Sequence, residues 1–351
     1  MLTTEIESFI SQTAITNCGV PQGSVLGPLL FLIYMNDLQF SSDKFNFYLF
    51  ADDTNILYAN KDLKSLETIV NCELEKVYNW LTVNRLTLNI KKSNYVIFRP
   101  HQKKLTYQPK INIYDNEKQT LTQLECKDYV KYLGILIDHS LAWKNHIEQI
   151  TLKISRSVGM IAKLRHFVPR SILLHIYRSL ILPYISYGLT VWGLASKYLL
   201  NKILILQKRA LRFIYFAKKT QHAAPLFIEA DILPVNYLFY KTVCCTMHDI
   251  RNGKSPNNIL NLFTNTSSIH SYNTRSSASN KFYVKHSRLE IQRKAFSRVG
   301  VMVWNDIPAS IRDLPKKQFK KKIHLLLLNI LEKQHDYLDY PQISIAIKRQ
   351  N

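Results

Sequence analysis

Apolar residues alternate along one stretch of the chain in a way that is typical of β-structure. Within residues 45–59, one run with alternating apolar positions precedes a central pair of acids, Asp52 and Asp53, and a second run follows it. Asp suits tight turns because its carboxylate bonds to nearby backbone amides. The pattern predicts a β-hairpin rooted in a core, with two adjacent carboxylates at its tip.

Helical spacing of apolar residues dominates most of the remaining chain. One stripe within residues 60–82 and another from Ile147 to Leu164 predict amphipathic helices with charged residues on the outer positions. Pro169 is expected to open a further helix, which Pro183 ends or kinks. Ser196 is expected to cap a third helix.

A loop rich in glycine and proline precedes the acidic hairpin. Residues 18–28 contain three Gly and two Pro, which predict irregular backbone that other groups can approach closely. A mostly buried helix is expected over residues 29–37. The loop is either structural or a platform for a flat ligand such as a base pair.

Charge is distributed unevenly over the 351 residues, whose net charge is +22. Residues 1–100 hold 8 Lys and Arg against 10 Asp and Glu, whereas residues 101–351 hold 39 against 15. Such a basic segment indicates a polyanionic partner, either a nucleic acid or an anionic membrane surface. The basic residues are spread over many predicted elements, which favours nucleic acid.

Membrane spans and disulfides are not indicated by the sequence. No apolar run is long enough to cross a bilayer without interruption. The five cysteines are odd in number and form no Cys-x-x-Cys motif with a histidine partner. This pattern favours a reducing, intracellular compartment, and it does not distinguish nucleus from cytoplasm.

Three sequence motifs together resemble a known enzyme family. They are GVPQGSVLGPLLF at residues 19–31, YMNDL at residues 34–38 and FADD at residues 50–53. In order and separation they are similar to motifs B and C of the reverse transcriptases of non-LTR, LINE-like retrotransposons. Residues 89–98 resemble motif D of these enzymes, and residues 129–138 resemble motif E.

The resemblance assigns roles to individual residues. It implies that Asp52 and Asp53 are catalytic metal ligands and that Lys92 is a general acid for the leaving pyrophosphate. It also implies that the nucleotide or the nascent base pair is contacted by Pro21, Gln22, Gly23 and Phe50. The primer grip would consist of Tyr132, Leu133 and Gly134. Without the resemblance, a solvated acidic turn, a solvated lysine pair and an ordinary glycine-containing hairpin would explain the same residues.

Nucleotide addition in this family is expected to use two Mg²⁺ ions about 4 Å apart. An additional aspartate, in an Asp-x-x-x-Ala-Phe-Asp setting before motif B, belongs to the family site. The sequence has no match to that setting. We therefore expect the C-terminal part of a reverse transcriptase, without motif A, the fingers or an endonuclease domain.

The expected fold is α+β. Residues 1–142 would form an incomplete polymerase palm, with an antiparallel sheet and packed helices. Residues 143–218 would form a helical, thumb-like domain, and residues 219–351 a basic C-terminal region with a polar linker near 264–280.

The expected function is RNA-directed DNA polymerisation. The partners would be an RNA template, a DNA primer, deoxynucleoside triphosphates and the missing N-terminal part of the same element, with no membrane involved. The alternative is a catalytically inactive nucleic-acid-binding remnant of a mobile element.

Overall fold

The computed structural model describes residues 5–6, 9–10, 20, 23–100, 102–115, 120–268 and 281–333. The chain divides into two compact units, Met1–Asp128 and Tyr129–Asn351. This division falls before the hairpin of residues 129–138, so that hairpin belongs with the helical unit. The predicted domain limits at 142 and 218 stay a prediction.

Short strand pairs and two helices make up the described part of the first unit. The helices are α1 (Gly27–Met35) and α2 (Leu63–Val83), and a 3-10 helix spans Asn36–Ser41. Three antiparallel pairs are β1 (Glu5–Ile6) with β2 (Phe9–Ile10), β3 (Asn46–Phe50) with β4 (Asp53–Leu57), and β6 (Asn112–Asp115) with β7 (Thr120–Gln123). A parallel pair joins β5 (Asn94–Tyr95) to β8 (Glu125–Cys126).

The mixture of helices and strands agrees with the predicted α+β class. The strands, however, form separate two-stranded sheets where the sequence analysis expected an antiparallel palm sheet. Strands of two to five residues provide few ladder hydrogen bonds. Packing against α2 therefore contributes much of the stability of this unit.

A small apolar core holds the first unit together. Its buried residues come from the end of α1, the 3-10 helix, the start of the hairpin, α2, β6 and the positions just before β6 and just after β7. They are Met35, Leu38, Phe45, Leu74, Val77, Ile111, Ile113 and Leu124. The prediction of an amphipathic helix within residues 60–82 is confirmed as α2. Asp62 caps this helix by accepting a 2.7 Å hydrogen bond from the Ser65 amide.

Two burial predictions for the first unit were wrong. Helix α1 was expected to be mostly buried, but Leu29, Leu32 and Ile33 are more than half exposed. Phe31 and Met35 face the core, and the described residues cover only that side of the helix. The charged residues of α2 are predicted to lie on its outer positions, yet one of them, Glu73, is buried.

Glu73 tolerates burial because its carboxylate is fully engaged. The Ser42 hydroxyl donates to Oε2 at 2.6 Å and the Lys76 ammonium donates to Oε1 at 2.9 Å, while Lys44 lies 3.7 Å away. These hydrogen bonds hold the pKa of Glu73 below its ordinary value, and the bond from Ser42 has a larger effect than the bond from Lys76.

The second unit begins with a β-hairpin and continues as helices. The antiparallel hairpin consists of β9 (Tyr129–Tyr132) and β10 (Ile135–Asp138). The helices are α3 (Lys144–Leu164), α4 (Arg170–Leu180), α5 (Leu182–Ser186), α6 (Leu189–Trp192), α7 (Lys197–Ile214), α8 (Ala224–Glu229), α9 (Val235–Arg251), α10 (Asn257–Leu260), α11 (Glu290–Arg293), α12 (Phe296–Asp306), α13 (Ala309–Arg312) and α14 (Lys316–Lys333). A 3-10 turn spans Thr266–Ser268.

One large apolar core runs through the second unit. The predicted stripe on α3 is confirmed, since its isoleucines at 147, 150, 154 and 161 are all buried. Helix α3 packs on α7, and α9 packs on α12 and α14. The Ser196 cap is confirmed by a 3.4 Å hydrogen bond from the Leu199 amide to the Ser196 hydroxyl, and α7 ends at Ile214.

The predicted linker at 264–280 lies largely outside the described residues, which stop at Ser268 and resume at Lys281. The ends of this segment are joined: the Thr266 amide donates to the Lys281 carbonyl at 3.0 Å, and the Tyr283 amide donates to the Thr264 carbonyl at 2.8 Å. In the described part of the chain, no helix combines the length and apolar character that a membrane span needs.

Candidate polymerase site

The predicted hairpin with two acids at its tip is present in the first unit. Strands β3 and β4 pair in register from Asn46 opposite Leu57 to Phe50 opposite Asp53. The turn between them consists of Ala51 and Asp52, and Ala51 takes a left-handed φ of 49°. One acid therefore lies in the turn, and its neighbour begins the returning strand.

The base of this hairpin is fixed in the core, while its tip projects into solvent. Phe45 is buried, and its ring meets the rings of Phe47 and Tyr58 edge-on at centroid distances of 6.1 Å. Further along β3, Phe50 is 60% exposed. The apolar anchoring of one end and the exposure of the other hold the two acids away from the core.

Both carboxylates at the tip are available to a ligand. Asp52 and Asp53 are exposed, and neither side chain forms a hydrogen bond or ion pair with the described residues. Adjacent free carboxylates suit Mg²⁺, which takes oxygen ligands and commonly keeps several waters. Within the described ranges, no group of three or more His, Cys, Asp or Glu side chains is placed to hold a metal ion.

The glycine-rich loop before α1 is described only in part. Pro21 and Gln22 lie outside the described residues. Gly23 has a φ of +87°, a conformation that favours glycine. A methyl group at Gly27 would lie 3.2 Å from Val20 Cγ2, so these residues pack closely.

Lys92 lies in the turn that precedes β5. Its backbone amide is held by Asn89, with the carbonyl oxygen and Oδ1 both at 3.2 Å. The Lys92 side chain is exposed and makes no hydrogen bond or ion pair with the described residues. A free ammonium on a fixed backbone can contact a phosphate.

The hairpin that contains the predicted primer grip lies in the second unit. Its turn residues Leu133 and Gly134 both take positive φ, 45° and 83°, as a type I′ hairpin turn requires. The Tyr187 hydroxyl donates a 2.5 Å hydrogen bond to the Leu133 carbonyl oxygen. The helical part of the unit therefore fixes the position of this turn.

A groove of about 650 Å³ borders this turn, and its lining combines aromatic, cationic and imidazole groups. The Lys153 ammonium lies 5.3 Å from the centroid of the Tyr184 ring. His146 is buried; its Nδ1 accepts a 3.4 Å hydrogen bond from the Leu136 amide, and its Nε2 has no partner within the described residues. Burial, and then the charge of Lys153, lower the pKa of His146.

The comparisons with known proteins bear directly on these two hairpins. A family described as reverse transcriptase (RNA-dependent DNA polymerase) matches residues 2–137. Residues 2–137 are thus similar to a reverse transcriptase domain. The matched range contains the glycine-rich loop, both acids, Lys92 and the turn at Leu133 and Gly134.

The relatives that the chain matches come from mobile elements of Drosophila and Nasonia. The chain is 30% identical over 207 residues to "RNA-directed DNA polymerase from mobile element jockey" of Drosophila melanogaster. It is 29% identical over 203 residues to "Probable RNA-directed DNA polymerase from transposon X-element" of the same organism. Each match covers 56% of this chain, and they cover 22% and 21% of those relatives.

A third relative is shorter. The chain is 24% identical over 211 residues to "Retrovirus-related Pol polyprotein from type-1 retrotransposable element R1 2" of Nasonia vitripennis, covering 57% of this chain and 48% of the relative. The chain thus spans about a fifth of the two Drosophila relatives and about half of the Nasonia one. No solved structure matches the chain.

Within residues 2–137, the structure brings some predicted site residues together. Phe50, Asp52 and Asp53 share one hairpin tip in the first unit. Tyr132, Leu133 and Gly134 share another hairpin in the second unit.

Tyr187 is a contact that the sequence analysis did not identify. Sequence spacing could not show that its hydroxyl reaches a carbonyl 54 residues earlier. Tyr187 lies outside residues 2–137, so the helical segment helps to fix a turn of the range that matches the reverse transcriptase family.

Proposed function

We propose that this chain is the metal-binding and primer-gripping part of an RNA-directed DNA polymerase of a non-LTR retrotransposon. The observation that carries the proposal is the β3–β4 hairpin, which presents Asp52 and Asp53 exposed and unengaged within a reverse transcriptase domain. The reaction would join the primer 3′-hydroxyl to the α-phosphate of a deoxynucleoside triphosphate, with pyrophosphate leaving.

Asp52 and Asp53 would hold the divalent ions. Magnesium ions bound there would make the primer hydroxyl more acidic and offset negative charge on the triphosphate. The carboxylates fit this task because no neighbouring cation in the described structure neutralises them. Two carboxylates supply few protein ligands, so waters and the nucleotide phosphates would complete the coordination.

The remaining assigned residues would position the substrates. Lys92 would neutralise the triphosphate and give a proton to the departing pyrophosphate, because its ammonium is free while its backbone is fixed by Asn89. The loop with Pro21, Gln22 and Gly23 would lie against the nascent base pair, and the exposed Phe50 ring would contact the nucleotide. Tyr132, Leu133 and Gly134 would hold the primer.

The charge of the second unit supports nucleic-acid partners. Residues 129–351 hold 34 Lys and Arg against 11 Asp and Glu. Neutralising phosphates with such residues releases counterions and makes affinity depend strongly on salt. An RNA template paired with a DNA primer is the partner that fits both this charge and the family of the domain.

Primer extension on an RNA template tests the proposal. We expect slow extension with Mg²⁺ and no extension by the double variant Asp52→Asn, Asp53→Asn. The matched control is Asp43→Asn, Glu75→Gln, which removes two exposed charges from the same unit and should leave extension unchanged. Extension that survives in the Asp52, Asp53 variant would contradict the assignment.

A second candidate function is nucleic-acid binding without catalysis. It is favoured by the charge of residues 101–351, which hold 39 Lys and Arg against 15 Asp and Glu, and by the lack of a match to the motif A setting in the sequence. It predicts salt-dependent binding of RNA and DNA with no extension by the unaltered protein. Measuring binding and extension on the same labelled primer–template separates the two candidates.

A further inference from the structure

The ends of helices α3 and α7 form a basic–aromatic surface in the second unit, outside the range that matches the reverse transcriptase family. We define it by six residues, which are Arg165, Phe167, Arg170, Arg209, Phe213 and Phe216. The polymerase proposal counts the three arginines only in the net charge of the second unit and assigns no specific contact to any of the six residues.

Cations and aromatic rings alternate on this surface. The Arg165 guanidinium lies between two rings, 5.4 Å from the Phe213 centroid and 5.1 Å from the Phe216 centroid. Arg209 lies 5.4 Å from the same Phe213 ring. Stacking on aromatic faces pre-orients guanidinium groups while leaving their N–H donors available.

Two of the aromatic rings are exposed. Phe167 is 84% exposed and Phe216 is 56% exposed. Phe216 also has a left-handed φ of 54°, a strained conformation for a bulky residue. The His166 ring meets Phe216 edge-on at 5.6 Å, so the exposed ring is supported from one side.

Positive charge on the surface is only partly neutralised. Arg170 pairs with Glu229 at 2.8 Å and stacks on Tyr215 at 4.5 Å. Arg165 and Arg209 have no carboxylate partner in the part of the chain that the structure describes; the Nε of Arg165 donates to His166 at 3.0 Å. Lys218 and Lys219 follow directly after the surface and are exposed.

We propose that the basic–aromatic surface binds single-stranded nucleic acid. Bases would stack on Phe167 and Phe216, while Arg165 and Arg209 contact the phosphates. Stacking needs exposed base faces, which a single strand offers and a duplex hides. The surface therefore adds a single-strand site to the polymerase function and does not depend on Asp52 and Asp53.

Fluorescence anisotropy on the full chain tests the aromatic half of the proposal. The probes are labelled 12-nucleotide RNA and DNA strands of one sequence and the corresponding duplexes. Phe167→Ala, Phe216→Ala should weaken single-strand binding about tenfold or more and change duplex binding less than twofold. The control Phe40→Ala, Tyr198→Ala removes two other exposed aromatic rings and should change neither.

The salt dependence of binding tests the cationic half. Arg165→Gln, Arg209→Gln should reduce the slope of log affinity against log salt by about 1.4 for single strands. Arg156→Gln, Arg288→Gln, which removes two exposed arginines elsewhere in the unit, should leave the slope nearer its original value. If the Arg156, Arg288 control reduced the salt slope as much as the Arg165, Arg209 variant does, the assignment to this surface would be overturned.

Stacking can also be read on the unaltered protein. A single strand with 2-aminopurine should lose fluorescence on binding, because stacking on an aromatic ring quenches the base. Binding without quenching, an equal loss of single-strand and duplex affinity in the phenylalanine variant, or equal displacement by polyglutamate would overturn the proposal. None of these readouts requires polymerisation, so this proposal and the polymerase function can fail separately.

Discussion

The hydroxyl of Tyr187 donates a 2.5 Å hydrogen bond to the carbonyl oxygen of Leu133. The residue beside Leu133 lies under the same tyrosine, since a methyl group at Gly134 would be 3.5 Å from the Tyr187 ring. A surface turn with two positive φ angles is thus held by a side chain of the helical segment. The position of the predicted primer grip depends on this contact.

Removing the Tyr187 hydroxyl should loosen the turn. We predict that Tyr187→Phe lowers the free energy of unfolding by about 1 kcal/mol, because one hydrogen bond is lost while the ring stays. Urea denaturation measures this change. The control is Tyr184→Phe, whose hydroxyl makes no hydrogen bond with the described residues and should cost less than half as much.

Gly134 should not tolerate a side chain, for conformational reasons. Its φ of +83° costs an L-residue free energy whether or not space is available, so Gly134→Ala should destabilise the protein by roughly 1–2 kcal/mol. The matched substitution Gly159→Ala lies within α3, where a Cβ meets no atom within 4 Å. It should stabilise the protein by up to about 1 kcal/mol. Equal effects in denaturant melts would contradict the positive φ at Gly134.

Asp138 organises the connection from β10 to α3. Its carboxylate accepts hydrogen bonds from the Ser140 amide and hydroxyl at 3.1 and 2.7 Å, from the Ala142 amide at 2.9 Å and from the Trp143 amide at 2.7 Å. Leu141 and Trp143 both take positive φ in this connection. Burial raises the pKa of Asp138, but the hydrogen bonds from Ser140, Ala142 and Trp143 outweigh it, and the pKa lies below its ordinary value.

The stabilisation from Asp138 should depend on pH. Since its pKa is lower in the folded than in the unfolded protein, the stabilisation is complete above the unfolded-state pKa of about 3.9 and is lost as pH falls through the folded value. We predict that Asp138→Asn costs roughly 1–3 kcal/mol at pH 7. The difference from the unaltered protein should shrink below pH 4. A difference that stays constant from pH 7 to pH 3 would contradict the charged role.

Local patterns were enough to predict several elements of the fold. The alternation of apolar residues predicted the β3–β4 hairpin, and the stripe of isoleucines predicted α3. Both repeats follow directly from the direction in which successive side chains point in a strand and in a helix. The acids at the hairpin tip followed from turn preference. These features depend on residues near one another in the chain.

Features that depend on distant residues were missed. Glu73 was placed outside because it is charged, and its burial follows from Ser42 and Lys76 meeting its two oxygens. Helix α1 was placed inside because it is apolar, but an apolar helix is buried only where other residues cover it. The stacking of Arg165 between Phe213 and Phe216 joins two helices and leaves no periodic signal.

Binding of Mn²⁺ at the Asp52 and Asp53 tip tests the central claim most directly. Mn²⁺ replaces Mg²⁺ at oxygen sites and broadens nearby amide signals, so ¹⁵N-alanine labelling provides a reporter at Ala51, between Phe50 and Asp52. With a deoxynucleoside triphosphate present, we predict stronger broadening of Ala51 than of Ala59, which lies beyond the far end of β4 in the same unit. This broadening should vanish in Asp52→Asn, Asp53→Asn. An Ala51 signal that Mn²⁺ leaves unchanged, or that broadens equally in the double variant, would contradict a metal site at this hairpin.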